Sequence, residues 1–320
     1  MKYDIVCSTK NLSTEEWLKI RTLGIGGSDA GIIAGCNPYR SIFELWQEKR
    51  GEIPVREEES EVTHFGKVLE DVVRKEFIQR TGLMVRKKNS ILRSKEYPFM
   101  IADLDGVVSE FDGTYSIFEA KTAIEFKNND WKNGEIPKAY QLQVQHYLAV
   151  TGFQKAYIAV LVGGNKFYWT EIYRDEQLIK MLVSMESHFW HCVKTGEEPD
   201  VDASKATSLY LGAKYSNPKV GSIIDLDEQM LSAIEKYEQI KVELDSLTEQ
   251  KQLIENQLKS ALAENEAGRV GGHIVKWKPI VQTRIDSNKL KKEHKEIYDA
   301  CKKEVSYRKF SYKRQVRGYL

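Results

Sequence analysis

The chain has 320 residues, of which 41% are hydrophobic and 30% charged, and a formal net charge of +1. That length allows one large domain or a core domain with an appendage. The four cysteines (Cys7, Cys36, Cys192, Cys301) form no C-x-x-C pair, which excludes a zinc ribbon, an iron–sulfur ligand set and a disulfide framework. No apolar run approaches the ~20 residues of a membrane span, and the start, MKYDIVCSTKNLSTEEW, has no signal core. A soluble, cytoplasmic protein with reduced thiols and no membrane contact is expected. The near-neutral total hides an asymmetry: residues 276–320 carry +9 and the remainder −8. A basic tail on an acidic body points to a polyanion or an acidic partner.

In chain order, Ser13–Leu23 predicts a short helix, with Ser13 and Glu16 as a capping box and Trp17 and Ile20 on its apolar stripe. The glycines of GIGGSDAGIIAG, Gly24–Gly35, predict a tight turn and a small helix capped by Ser28 or Asp29. A helix over Ser41–Arg50 is stopped by Gly51 and Pro54, and VREEESE is a polar loop. Phe65, Leu69, Val72, Val73, Phe77 and Ile78 predict a long amphipathic helix over His64–Arg80, ended by Gly82. Leu83–Leu92, Phe99–Val108 and Tyr115–Lys121 then predict three strands, the last two joined at Asp112-Gly113. A loop with Trp131 and Pro137 precedes a helix over Lys138–Val150. Strands over Ala156–Val162 and Lys166–Tyr173 turn at Gly163-Gly164, and a helix over Asp175–Lys194 closes the unit. This order predicts an α/β core, residues 1–204, with a mixed central sheet flanked by helices.

Residues 205–224 are expected to be a linker. From Met230 to Ala261, apolar residues recur at alternating spacings of three and four, with Lys251 as the one polar seam position. This predicts a coiled-coil helix over 225–267, for oligomerisation or an intramolecular hairpin. Residues 268–320 are expected to form a small basic α+β module: a strand over His273–Val281, a basic helix capped by Asp286, and the aromatic and basic YRKFSYKR end, which suits single-stranded nucleic acid or an edge strand.

The chemistry concentrates around Glu119-Ala120-Lys121. On a strand, Glu119 and Lys121 share one face, and Asp105 approaches from across the hairpin. Two adjacent carboxylates repel unless a cation lies between them. Mg2+ suits such oxygen ligands, with the Ala120 carbonyl as a further ligand and Glu70 of the preceding helix completing a second metal site. Lys121 beside the attacking water completes a site for phosphodiester hydrolysis with two ions. Acid-x-Lys alone is commonly a surface ion pair; the ordered set gives it meaning. GIGGSDAG lacks the Gly-Lys-Ser/Thr of a P-loop, so ATP binding is rejected. A phosphate at that helix start is sensible, and the fork of Arg21 suits a terminal phosphate. Trp131 is a candidate for stacking on a base. His188, His191 and Cys192 read as packing, and His146 and Tyr147 as groove or core.

Taken in order, these motifs resemble the YqaJ viral recombinase family, the group containing lambda-type 5′-to-3′ exonucleases, within the PD-(D/E)xK nuclease superfamily. The resemblance spans about Trp17–Gly196. W-L-K-I-R-T-L-G-I-G-G-S-D-A is similar to the opening motif, which places Arg21 and Ser28 where the family holds a 5′-phosphate. H-F-G-K-V-L-E supplies Glu70, A-D-L-D-G supplies Asp105, and E-A-K supplies Glu119 and Lys121. L-Q-V-Q-H-Y-L is similar to the helix whose glutamine lies beside the catalytic lysine, giving Gln143. Leu104 replaces the family's proline, and Asp103 shares the strand face of Asp105 as a metal assistant or an outer acceptor. The resemblance implies a Mg2+-dependent exonuclease, with Mn2+ as a substitute. It acts on double-stranded DNA ends as a trimeric ring and leaves 3′ single strands for a phage annealing protein of the RecT or Red-beta kind. The alternatives are an endonuclease or nickase using the same site, or a non-catalytic DNA-binding scaffold. The four-cysteine cluster of the superfamily's helicase-like or Cas4-like nucleases is absent.

Overall fold

The computed structural model describes residues 2–55, 60–305 and 307–313. The polar VREEESE loop therefore lies mostly outside the described residues, as does the last arginine of YRKFSYKR. The chain forms two compact units, residues 1–216 and 217–320. No helix among the described residues is long and apolar enough to cross a membrane.

The first unit opens with strand β1 (Tyr3–Ser8), which the sequence reading did not anticipate. Helix α1 (Thr14–Arg21) carries the expected capping box of Ser13 and Glu16. Helix α2 (Gly27–Ile33) begins one position before Ser28. Its cap is Gly26, whose N–H is held by Asp29 Oδ2 at 2.9 Å, so Asp29 caps from inside the first turn and Ser28 is exposed. Helices α3 (Ile42–Arg50) and α4 (Glu61–Thr81) end as expected at Gly51 and Gly82, both left-handed at φ 73°.

Two expected strands are each divided. Leu83–Leu92 becomes β2 (Met84–Arg86) and β3 (Ser90–Ser94), and Phe99–Val108 becomes β4 (Ile101–Asp103) and β5 (Gly106–Ser109). The halves belong to different sheets. β1, β3 and β4 make one of three strands; β2 and β5 join β6 (Tyr115–Ala123), β7 (Lys155–Val162) and β8 (Lys166–Tyr173) in one of five, ordered β2-β5-β6-β7-β8. Among the described strands only β6 and β7 pair in parallel, through helix α5 (Lys138–Thr151) as the crossover.

Alternation along β6 decides which residues meet which helix. Ile117 joins Val144 and Leu148 of α5 in one core cluster, while Phe118 joins Val73 and Phe77 of α4 in another. Glu119 and Lys121 follow Ile117 in period and so face α5. Helix α6 (Glu176–Thr195), capped by Asp175 and Gly196, packs beside α5 and α3. The expected linker begins with a helix instead: α7 (Lys205–Lys214) stacks Tyr210 on Phe43 of α3 at 5.0 Å. Its two buried residues, Ala206 and Thr207, place the end of the core near residue 216 rather than 204.

The second unit holds the long helix α8 (Gln229–Leu262), a hairpin of β9 (Ala267–Val270) and β10 (His273–Lys276), and short helices α9 (Ser287–Glu293) and α10 (Lys295–Cys301). The strand expected to run to Val281 stops at Lys276 and pairs with β9 around Gly271-Gly272. Asp286 caps as expected, but His294 breaks the basic helix in two. The described part of YRKFSYKR is no strand: Phe310 and Tyr312 lie edge-on to Tyr237, and Tyr312 donates to Glu238 at 2.7 Å.

Candidate active site

The division between β4 and β5 creates the site. Asp105 sits where the chain leaves one sheet for the other, so β6 beyond Phe118 loses its β5 neighbour. The open edge is taken by a side chain: Asp105 Oδ2 accepts the Ala120 N–H at 2.8 Å. Leu104, at the family's proline position, is 4% exposed and fills the core beside Met100 and Ile117. Asp103 accepts the Trp17 indole N–H at 2.8 Å, which ties α1 to the site.

Opposite Asp105, Lys121 Nζ donates to Glu119 Oε1 at 2.6 Å and to Gln143 Oε1 at 3.1 Å. Gln143 Nε2 donates to the same Glu119 oxygen at 2.6 Å and to Tyr147 Oη at 3.1 Å. The lysine ammonium also faces the Tyr140 ring at 4.8 Å. Glu119 is 2% exposed, and its second oxygen, Oε2, is buried with no hydrogen-bond partner. An orphaned carboxylate oxygen of this kind calls for a ligand.

The electrostatics agree. Burial, then the charge of Asp105, pushes Glu119 up to about 8. Burial, then Asp105, pushes Glu70 up to about 7, against the pull of Lys87, 3.8 Å away. Burial raises Asp105 as well, and Lys121 and the Ala120 N–H only partly offset it. Burial pulls Lys121 down, but Glu119 and Asp105 outweigh it, so the ammonium stays charged. Three carboxylates that suppress one another's ionisation, all with oxygen donors, fit a hard divalent cation. Among the described residues no three such side chains stand in a finished ligand set; the acids converge but are held by Ala120, Lys121 and Gln143.

A cleft of about 390 Å³ is lined by Glu70, Asp105, Glu119 and Gln143 and also by Arg21 and Ser28. Arg21 Nη2 donates to Ser28 Oγ at 2.6 Å and to Asp29 Oδ1 at 3.2 Å, and its guanidinium stacks on Trp17 at 5.0 Å. Lys49, missed in the sequence, sits beneath: Nζ pairs with Asp29 at 2.7 Å and donates to the Arg21 and Gly24 carbonyls. Burial would raise Asp29, but Lys49 and Arg21 hold it well below the usual range. Asp103 also lies within the field of Arg21, so the two cations Arg21 and Lys49 here face two acids. Gly27 allows α2 to approach α5: a Cβ there would lie 2.4 Å from the Tyr147 ring and 3.0 Å from Gln143 Cγ.

One candidate does not join the cluster. Trp131 is 4% exposed, stacks on Tyr140 at 5.5 Å and packs against Ile158 and Val160, so its ring is not presented to a base. It supports the tyrosine under Lys121 instead. Tyr140, Lys87 and Lys88 were also missed; lone Tyr and Lys residues carry no local signal. His146 is core: buried between Glu186 and the Ile101 carbonyl. His188 pairs with Asp200 at 3.2 Å, and Cys192 is buried.

The core is thus a mixed sheet flanked by helices, with an acid at the sheet division and an acid-x-Lys strand. The YqaJ-like viral recombinase domain matches residues 16–154. The chain is 42% identical over 313 residues to the "Uncharacterized protein YqaJ" of Bacillus subtilis (strain 168), covering 97% of each. It belongs to the YqaJ-like viral recombinase domain family. Among solved structures, an alkaline exonuclease (LHK-Exo) from Laribacter hongkongensis superimposes with a TM-score of 0.50 at 21% identity, over 57% of this chain and 94% of that one. The same enzyme in complex with dAMP gives 0.49 at 22%, with the same coverage. At these identities the likeness is one of fold. Family membership supports a role in viral recombination.

Proposed function

We propose that the chain is a 5′-to-3′ exonuclease that resects linear double-stranded DNA to 3′ single-stranded overhangs, working with a single-strand annealing protein. The observation that carries this reading is the shared cleft: one cavity holds both the Arg21–Ser28 pair and the acidic cluster. A terminal phosphate seated on Arg21 and Ser28 brings the next phosphodiester toward Asp105 and Glu119. The reading includes a homo-oligomer, with a trimeric ring favoured, and a location in the host cytoplasm.

Glu70, Asp105, Glu119 and the Ala120 carbonyl would hold Mg2+, with Mn2+ as a substitute and two ions per site. Support for the carbonyl comes from the backbone: a strand residue's N–H and C=O leave on the same edge, and the Ala120 N–H points at Asp105. Bound cations would supply charge stabilisation at the phosphate oxygens and leaving oxygen. Lys121, kept charged and steered by Glu119 and Gln143, orients the attacking water and neutralises charge on the phosphate. Gln143 fixes the rotamers of Glu119 and Lys121, and Tyr147 fixes Gln143.

The test is digestion of linear duplex DNA labelled at one 5′-phosphate, with Mg2+ or EDTA, beside closed circular DNA. Release of 5′ nucleotides with Mg2+ only, and intact circles, is expected. Cleavage of closed circles would replace the reading with an endonuclease, and no cleavage with any metal would replace it with a binding protein.

A further inference from the structure

The apolar seam of α8 is exposed along its length, Met230 at 47% and Tyr237 at 43%, with neighbours among the described residues only beside its two ends. At the C-terminal end Leu262 is 6% exposed and meets the β9–β10 hairpin, where a Cβ on Gly268 would lie 2.9 Å from Leu262 Cδ2. Toward the N-terminus, Phe310 and Tyr312 sit edge-on to Tyr237, both at 5.9 Å. Between them Ile240 is 44% exposed, Leu244 57%, Leu247 60%, Ile254 56% and Leu258 40%. An apolar stripe spaced for knobs-into-holes packing is a partner surface.

We infer that the middle of this seam is covered by α8 of a second copy of the chain, running antiparallel. Charge decides the direction. In a parallel, in-register pair Lys251, the one polar seam residue, faces Lys251 of the second copy, and Lys236 on one flank faces Lys241 on the other. Both contacts repel. An antiparallel pair centred near Glu249 sets Ile240 on Leu258, Leu244 on Ile254 and Leu247 on Lys251 of the second copy. Each Lys251 then lies opposite a leucine, with its ammonium 3.3 Å from Glu255 of its own helix. On the flank, Lys241 meets Glu255 of the second copy, twice over by symmetry. A single polar seam residue with flanking charge pairs is how two-stranded coils set register and orientation. The surface thus fits a second copy of itself, and because an antiparallel pair is two-fold symmetric, that copy lies outside any three-fold ring built by the first unit.

Cross-linking of the full chain tests this, in a Cys301→Ser background that removes an exposed thiol. In the antiparallel pair Thr248 lies beside Thr248 of the second copy, so Thr248→Cys should give a covalent dimer under mild oxidation and Leu244→Cys should not. A parallel pair gives the opposite result. Lys241→Glu or Glu255→Lys alone should weaken the antiparallel pair about tenfold, two flank contacts of each sign changing together, and the double reversal should restore it. A parallel pair predicts that Lys241→Glu strengthens association. A dimer from Leu244→Cys alone, from neither cysteine, or strengthened by Lys241→Glu overturns the inference.

Discussion

Helix α5 carries two buried polar clusters three residues apart, and they differ in one respect. On one face, His146 lies with Nδ1 2.8 Å from Glu186 and Nε2 2.9 Å from the Ile101 carbonyl, all its partners in place. Beside it, Gln143 binds Glu119 and Lys121, yet Glu119 Oε2 has no partner. Both clusters contain an acid with a raised pKa, so the shift alone does not mark the working site. A satisfied network rigidifies the core; an unsatisfied one beside a cleft awaits a ligand. His146–Glu186 locks α5 to α6 and β4, and thereby fixes the helix that presents Gln143.

The sharpest break in this comparison is Lys121→Ala. Cleavage should fall roughly a thousandfold, as when a transition-state donor is lost, in protein that is still folded at the assay temperature. A large loss of stability with activity intact would reverse the two roles. His146→Ala should do the converse: removing one partner of a buried pair costs about 3–5 kcal/mol. Denaturant unfolding should show that loss, while the variant still cleaves at a temperature where it is folded. Trp131→Ala should also cost ~3–5 kcal/mol, because a buried aromatic leaves a cavity, with DNA affinity unchanged. If instead binding weakens and stability holds, Trp131 is a base platform after all.

The smallest effect concerns pH. Glu119 titrates near 4.5 when unfolded and about 8 when folded. The folded state therefore binds this proton more tightly. The stability this contributes in metal-free protein is complete below about pH 4.5 and is lost as pH rises through about 8. Glu119→Gln, which cannot ionise, should melt close to the wild type near pH 5 and a few degrees above it beyond pH 8. Adding Mg2+ at the higher pH should reverse that order. A variant that melts below the wild type at every pH without metal would show that Glu119 is not strained by its neighbours.

Much was legible where the signal is local. The caps at Ser13, Gly51, Gly82, Asp175 and Gly196 are side-chain or left-handed features of single positions, and each ends or begins a helix as expected. The period of two put Glu119 and Lys121 on one face, and they are hydrogen-bonded. Less was legible where one run serves two sheets. Leu83–Leu92 is interrupted by the polar Arg86–Ser90 and Phe99–Val108 by Asp103, Asp105 and Gly106, but such breaks do not say that the two halves of each run belong to different sheets. The linker failed for a related reason: α7 is a weak helix by itself, ordered by Phe43 stacking on Tyr210.

The sequence by itself determined the helix ends, the α/β order, the residues that carry the acid-x-Lys chemistry and the seam of α8. All of these are periodic or single-residue properties. Tertiary structure alone decided that β4 and β5 part at Asp105, leaving a strand edge for a carboxylate. It also decided that Trp131 is buried under Tyr140, that Lys49 braces Asp29 below Arg21, and that one oxygen of Glu119 is left without a partner. Burial and the closure of hydrogen bonds between distant segments belong to the packed chain, and no window of sequence contains them.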